Sequence, residues 1–199
     1  MFIILLCLIF NQSIFASAFV TSRFLTSSGE VNFDAIGNPK KLLIHGKSTE
    51  LQGHFQIDKN MLSGVAVFDL SSLETGMALR DRHMKEKYLE VEKFKTATLI
   101  LNPLDLGGST FKDLQDVKFS GKLNLHGVQN PVEGVAKIKM HVDSGNLSLT
   151  NMSSMSVDAD FSVNTNDYKI STPSFAGLTV AEEVKIKVKF EAKLEKKPN

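Results

Sequence analysis

Arg80, Asp81 and His83 are the densest group of side chains in this sequence that could do chemistry. They fall within Ser71–Glu90, SSLETGMALRDRHMKEKYLE. An Asp–His pair can move protons in general acid–base catalysis, whereas arginine stays charged at pH 7 and binds anions. So short a run works against a shared reaction centre, because a helix points such neighbours in different directions. The structural alternative is that Arg80 or Asp81 pairs with a strand end and His83 caps or packs, since buried charges persist only when paired. His45, His54, His126 and His141 show no H-x-H or H-E-x-x-H spacing, so no metal site is predicted. His126, in a strand-to-turn context, reads as a surface histidine. Asp158 and Asp160 face one side of a strand and read as a solvated face rather than a carboxylate pair. G-x-S-x-G, P-loop and dinucleotide fingerprints are missing. With no nucleophile to name, the sequence predicts a protein that is not an enzyme.

The elements around these residues are mostly strands. Val184, Ile186, Val188, Phe190, Ala192 and Leu194 alternate with Lys185, Lys187, Lys189, Glu191 and Lys193. That period of two predicts a strand with one dry and one wet face, its lysines on an outer face. Glu30–Ala35, Leu51–Ile57, Val117–His126 and Val157–Val163 alternate likewise, and Lys41–Gly46, Met61–Leu70, Ala97–Leu101, Val132–Met140 and Leu147–Thr150 do so more weakly. Turn residues such as Asp58-Lys59-Asn60 and Asn130-Pro131 separate them. Many short strands with frequent turns imply a sandwich or an up-and-down barrel. Gly53, Gly64, Gly121 and Gly134 fall inside strands and mark bends or bulges. Only Ser71–Glu90 breaks the rhythm. There Met84, Tyr88 and Val91 make an apolar helical stripe, which predicts a short helix near residues 78–90.

Composition narrows the function further. The 199 residues fit one domain with a sizeable core, and the net charge of +1 offers no field for nucleic acid. Phenylalanine is abundant (14) while tryptophan is absent and tyrosine scarce (2), which suits an apolar interior or an apolar cavity. Residues 1–18, MFIILLCLIFNQSIFASA, are apolar and uncharged, and Ala16-Ser17-Ala18 has the small-x-small form of a signal-peptidase site. They read as a secretory signal without the usual basic start, followed by one domain over 19–199; the alternative is an uncleaved anchor. Phe2–Phe10 is too short to span a bilayer, and the mature chain carries no spanning segment. The single cysteine, Cys7, lies in that signal, so the mature chain has none and suits an oxidising periplasmic or extracellular setting.

Several motifs then align with one known family. Leu73-Glu74-Thr75-Gly76, Leu79-Arg80-Asp81-Arg82-His83-Met84, Lys87-Tyr88-Leu89 and Phe94-Lys95-Thr96-Ala97 together resemble the YceI-like family. Lys95 stands where that family usually has proline. Gly121–Val128 with Pro131-Val132, and Val180-Ala181-Glu182-Glu183-Val184, are similar to two further motifs of the family. The resemblance covers most of the presumed mature chain. It implies an all-β fold: a lipocalin-like extended antiparallel barrel of about eight strands with one short helix inserted. It also implies an exported protein, some members of which hold a polyisoprenoid in the barrel, so that an isoprenoid lipid or quinone is the bound group to expect. The alternating faces supply the residues for such a channel: Phe33, Phe55, Phe119, Leu123, Phe161, Ile186, Val188 and Phe190. Arg80 and His83 would form a polar rim. An eight-stranded barrel can equally be filled by its own side chains, and the chain would then act as a stress or surface protein through protein contacts. The partners predicted are an amphipathic lipid and a second copy of the chain.

Overall fold

The computed structural model describes residues 21–38, 43–107, 113–143, 151–172, 174–175 and 178–195. Residues 1–18, read above as a signal, and the weak strand expected at Leu147–Thr150 lie outside the described residues.

Strands run antiparallel throughout: β1 (Thr21–Thr26), β2 (Gly29–Asn38), β3 (Leu43–Ser48), β4 (Leu51–Asp58), β5 (Met61–Asp69), β6 (Thr96–Asp105), β7 (Leu114–Leu125), β8 (Val128–Val142), β9 (Met152–Asn164), β10 (Ser174–Phe175) and β11 (Leu178–Leu194). A ring of eight, in the order β1-β4-β5-β6-β7-β8-β9-β11, closes where Phe24 and Leu25 of β1 meet Leu194 and Lys193 of β11. Above that closure β2 takes over the same edge of β11, pairing from Phe190↔Gly29 to Thr179↔Asn38. β1 and β2 are thus one wall strand broken at Ser27-Ser28. β3 and β4 are another, broken at Thr49-Glu50, because β2 pairs with β3 while β1 pairs with β4. The lower half of the wall is β1 and β4; the upper half is β2 and β3.

Alternation puts apolar side chains inside. In β4, Leu51, Gly53, Phe55 and Ile57 are buried and their neighbours exposed. At the lower end Phe24, Ile57, Met155 and Ala192 are fully buried and, with Leu62 and Leu106, form a solid floor. β1 escapes the sequence pattern because two of its inward positions are Ser22 and Thr26, with Phe24 as the only large apolar residue on that face. β11 starts at Leu178, six residues before the predicted strand, and absorbs a bulge between Val180 and Val184.

Between β5 and β6 the ladder is interrupted by an insert. α1 (Ala78–His83) runs directly into a wider π-turn over Met84–Tyr88, where the Leu89 N–H reaches back to the Met84 carbonyl at 2.8 Å. Met84, Tyr88, Leu89 and Val91 pack on the upper core around Leu70, Leu73, Leu125 and Tyr168. The insert's two ends are tied where the Leu70 N–H donates to the Lys95 carbonyl at 2.9 Å.

On the outer face Lys187 approaches Asp160 at 3.3 Å and Asp158 at 3.8 Å, and Lys189 approaches Asp158 at 3.8 Å. The Asp160 hydrogen bond, then the charges of Asp158 and Asp160, push the Lys187 ammonium above its ordinary value. Asp160 and Asp158 are therefore the cross-strand partners of Lys187 and Lys189.

Because the floor has no lumen to relax into, Phe24→Ala is expected to lower unfolding free energy by about 3–5 kcal/mol in urea titrations. Leu25→Ala, one residue along on the outer face, should fall within about 0.5 kcal/mol of wild type.

Candidate functional site

Above the floor the barrel is hollow. A cavity of about 680 Å³ runs between the walls, of a size that accommodates a small-molecule ligand. Its walls are almost wholly aliphatic and aromatic; apart from the Tyr88 hydroxyl, polar side chains come from Thr75, Arg80, His83, Thr165 and Thr179. Met77 and Leu79, at the start of α1, also line it and are each 58% exposed, so the opening lies at the insert end.

Each residue expected in the channel or at its rim lines this cavity. Phe33 comes from β2 and Phe55 from β4; Phe119 and Leu123 come from β7 and Phe161 from β9. Ile186, Val188 and Phe190 come from β11, and Arg80 and His83 stand at the opening. Phe55 and Phe190 stack at 5.1 Å between ring centroids, and Phe119 meets Phe161 edge-on at 6.2 Å.

The phenylalanines do not fill the space, and their cross-strand partners explain why. Phe33 pairs with Gly46, Phe55 with Gly64 and Phe119 with Gly134. In each case the ring lies over the glycine, in the volume a Cβ would need; at Gly134 that atom would sit 2.7 Å from the Phe119 ring. Each ring folds down against its own wall rather than reaching across the axis. The sequence marked Gly64 and Gly134 as bends, and a register shift does occur between Leu62 and Gly64.

At the opening Arg80 and Asp81 converge on Thr75. The Thr75 N–H donates to Asp81 Oδ1 at 2.8 Å, and its hydroxyl also donates to that oxygen. Arg80 Nε donates to Thr75 Oγ1 at 2.6 Å and Nη2 to the Thr75 carbonyl at 2.7 Å. Among the described residues Nη1 of Arg80 has no protein partner and no carboxylate lies in ion-pair range of the guanidinium. His83 is exposed on the cavity rim. Asp81 is spent on ordering the turn; Arg80 keeps donors to offer.

His126 departs from expectation. Its side chain is 9% exposed, not a surface group. Nδ1 lies 3.0 Å from the Tyr168 carbonyl and Nε2 2.9 Å from Glu90 Oε2, while the Phe94 ring covers it at 4.4 Å. His126 and Gly127 both have positive φ (53° and 73°) in the two-residue turn between β7 and β8, a geometry that favours glycine and is held here by those side-chain bonds. The contact clamps the end of the insert to the barrel. Lys93, and after it His126, hold the Glu90 carboxyl below its ordinary value. The signal for this residue was its place in a two-residue hairpin turn, but its partners are 36 and 42 positions away. Among the described residues no group of three His, Cys, Asp or Glu side chains could hold a metal ion, and no helix is long and apolar enough to cross a membrane.

Residues 14–192 match the family model described as YceI-like domain. The UPF0312 protein of Enterobacter sp. (strain 638) is 30% identical over 99 residues, 48% of this chain, and the match spans 48% of that relative. Among solved structures, a polyisoprenoid binding domain from Saccharophagus degradans, implicated in plant cell wall breakdown, superposes with a TM-score of 0.63 at 20% identity, covering 89% of this chain and 99% of that one. BcnA of Burkholderia cenocepacia gives 0.59 at 14% identity (82% and 96% covered), and the YCEI protein of Campylobacter jejuni 0.57 at 16% (77% and 86%).

Three outcomes follow from this geometry. The atoms nearest a Cβ at Gly46 all belong to the Phe33 ring and none to backbone, so Gly46→Ala should cost little stability yet push the ring into the lumen and cut uptake of an apolar fluorescent dye. Gly134→Ala also meets the Asp160 carbonyl at 2.5 Å, backbone that cannot yield, and should destabilise by about 1–3 kcal/mol in denaturant titration. Glu90, with its folded value depressed, contributes stability that is whole above its ordinary value of 4.5 and is lost as pH falls through the lowered one. Thermal melts of wild type and Glu90→Gln should therefore converge on acidification; a gap independent of pH would contradict this.

Proposed function

The chain belongs to the YceI-like domain family, and on that premise we propose that it is an exported lipid-binding protein that holds the apolar tail of a polyisoprenoid or similar amphipathic lipid in its barrel. The observation that carries this reading is the hollow apolar lumen of about 680 Å³, which a barrel filled by its own side chains would lack. The fold it shares with a polyisoprenoid binding domain supports the same ligand class. Export is supported by the apolar run and the Ala16-Ser17-Ala18 pattern within residues 1–18, and the destination is the periplasm or the exterior.

Binding needs no chemical step. Each 100 Å² of tail removed from water stabilises the complex by about 2.5 kcal/mol. Phe33, Phe55, Phe119, Leu123, Phe161, Ile186, Val188 and Phe190 supply the apolar wall. At the rim, the free donors of Arg80 and the exposed imidazole of His83 orient a polar head towards water, because such a head is costly to bury without partners. The protein carries or sequesters its lipid; no residue acts as nucleophile or base.

Organic extraction and native mass spectrometry of the purified protein should reveal a bound lipid, or uptake of a prenyl-tailed quinone added to it. A protein that stays empty in both would overturn the reading. Ala159→Phe, which places a ring in the lumen without disturbing the floor, should weaken uptake about tenfold or more by direct displacement of the tail.

A further inference from the structure

The barrel wall is not equally closed all the way round. In the lower half every strand is joined to its neighbour by a ladder: β1 pairs with β4 from Thr21↔Asp58 to Thr26↔Gly53, and β4 with β5 from Leu51↔Phe68 to Asp58↔Met61. In the upper half β3 faces the insert instead. There one residue pair, Lys47↔Glu74, bridges the gap, through Lys47 N–H to Glu74 O at 2.9 Å and Glu74 N–H to Lys47 O at 3.0 Å. One hydroxyl contact, Ser48 Oγ to Ser72 Oγ at 2.6 Å, reinforces it. Backbone groups at alternate residues of a strand face the same way. Those of His45 and Leu43 therefore also face the insert, and among the described residues they meet no backbone partner from it.

The insert on the other side of this seam is lightly held beyond Leu73. That residue is buried beside the bridge, but from Glu74 to Glu90 no residue is fully buried, and Met84 and Tyr88 pack on the core only in part, the composition of a segment that opens at low cost. Its far end is fastened: Glu90 bonds His126, the Phe94 ring packs on that imidazole, and Leu70 ties to Lys95 at the root. A wide helical turn, of the kind frequent at functional sites, lies between the fastened Glu90 end and the stretch that faces β3. The seam also borders the lumen directly, since Ile44 on β3 and Thr75 and Met77 on the insert all line it.

We propose that the seam between β3 and the insert is a lateral gate, through which a lipid tail passes as the insert swings away from β3 with its Glu90–His126 end held. The proposal rests on the lipid-binding reading above. A side gate lets a tail lie down into the lumen along its length, where an end-on mouth would require threading. The bonds that break are few and are all renewed on closing, so the gate sets rates of exchange more than affinity.

A reversible cross-link tests this. Lys47 and Glu74 are both exposed and sit opposite one another as a hydrogen-bonded antiparallel pair, whose Cα separation of about 5.5 Å a disulfide can span. The full chain with Cys7→Ser, Lys47→Cys and Glu74→Cys is loaded with all-trans-retinol, a fluorescent isoprenoid alcohol. Its release to vesicles is followed with the bond oxidised and reduced. Oxidation should slow release by about tenfold or more, with reduction restoring the wild-type rate. The looser Ser48→Ala/Ser72→Ala protein should release retinol about twofold to fivefold faster. Equal rates in oxidised and reduced protein overturn the gate while leaving the lipid-binding reading intact. If wild type and the reduced protein take up neither retinol nor the prenyl-tailed quinone, both readings fall. If the cysteine variant does not fold, unchanged release from Ser48→Ala/Ser72→Ala overturns the gate.

Discussion

In an eight-stranded barrel, inward side chains have just enough reach to meet across the axis. Whether such a barrel is hollow therefore turns on where its largest residues put their bulk. Here Phe33, Phe55 and Phe119 each face a glycine on the neighbouring strand, and each ring occupies the volume a side chain would have taken there. The rings thicken the wall and leave the axis clear. Stacking of Phe55 on Phe190 and the edge-on contact of Phe119 with Phe161 carry the same arrangement round to β11 and β9. A side chain at any of these glycines would collide with the ring opposite, so the open axis depends on the pairs and not on the aromatic content alone.

The remaining architecture follows from keeping that space closed below and accessible above. The floor is sealed by small and large residues in register, Ala192 beside Phe24, Ile57 and Met155. Above it, the wall strands split at Ser27-Ser28 and at Thr49-Glu50, so that the barrel continues upward through β2 and β3. The space between β3 and β6 is then covered by the insert rather than by a strand. Its polar residues serve this position: Asp81 and Arg80 order the Thr75 turn, and Glu90 reaches His126 on the β7–β8 turn.

Much of this was legible. The alternation in β4, β7, β9 and β11 reports directly on which side chains face inward, because a strand's two faces differ by one residue. The one segment that breaks that rhythm is the insert, which is not wall. β1 was missed because serine and threonine occupy inward positions there. The burial of His126 was missed because its partners, Glu90 and Tyr168, come from segments far along the chain. Such contacts leave no local pattern.

By itself, then, the sequence determined the all-β class, the place of the insert and the identity of the inward residues, since each is a local periodicity. Tertiary structure alone decided that the interior is open. That outcome depends on register: Phe33 opposite Gly46, Phe55 opposite Gly64 and Phe119 opposite Gly134. Shifting any of those pairings by one residue would turn the ring to the other face. The choice among registers is made by the closed ring of strands as a whole, which no single strand's sequence contains.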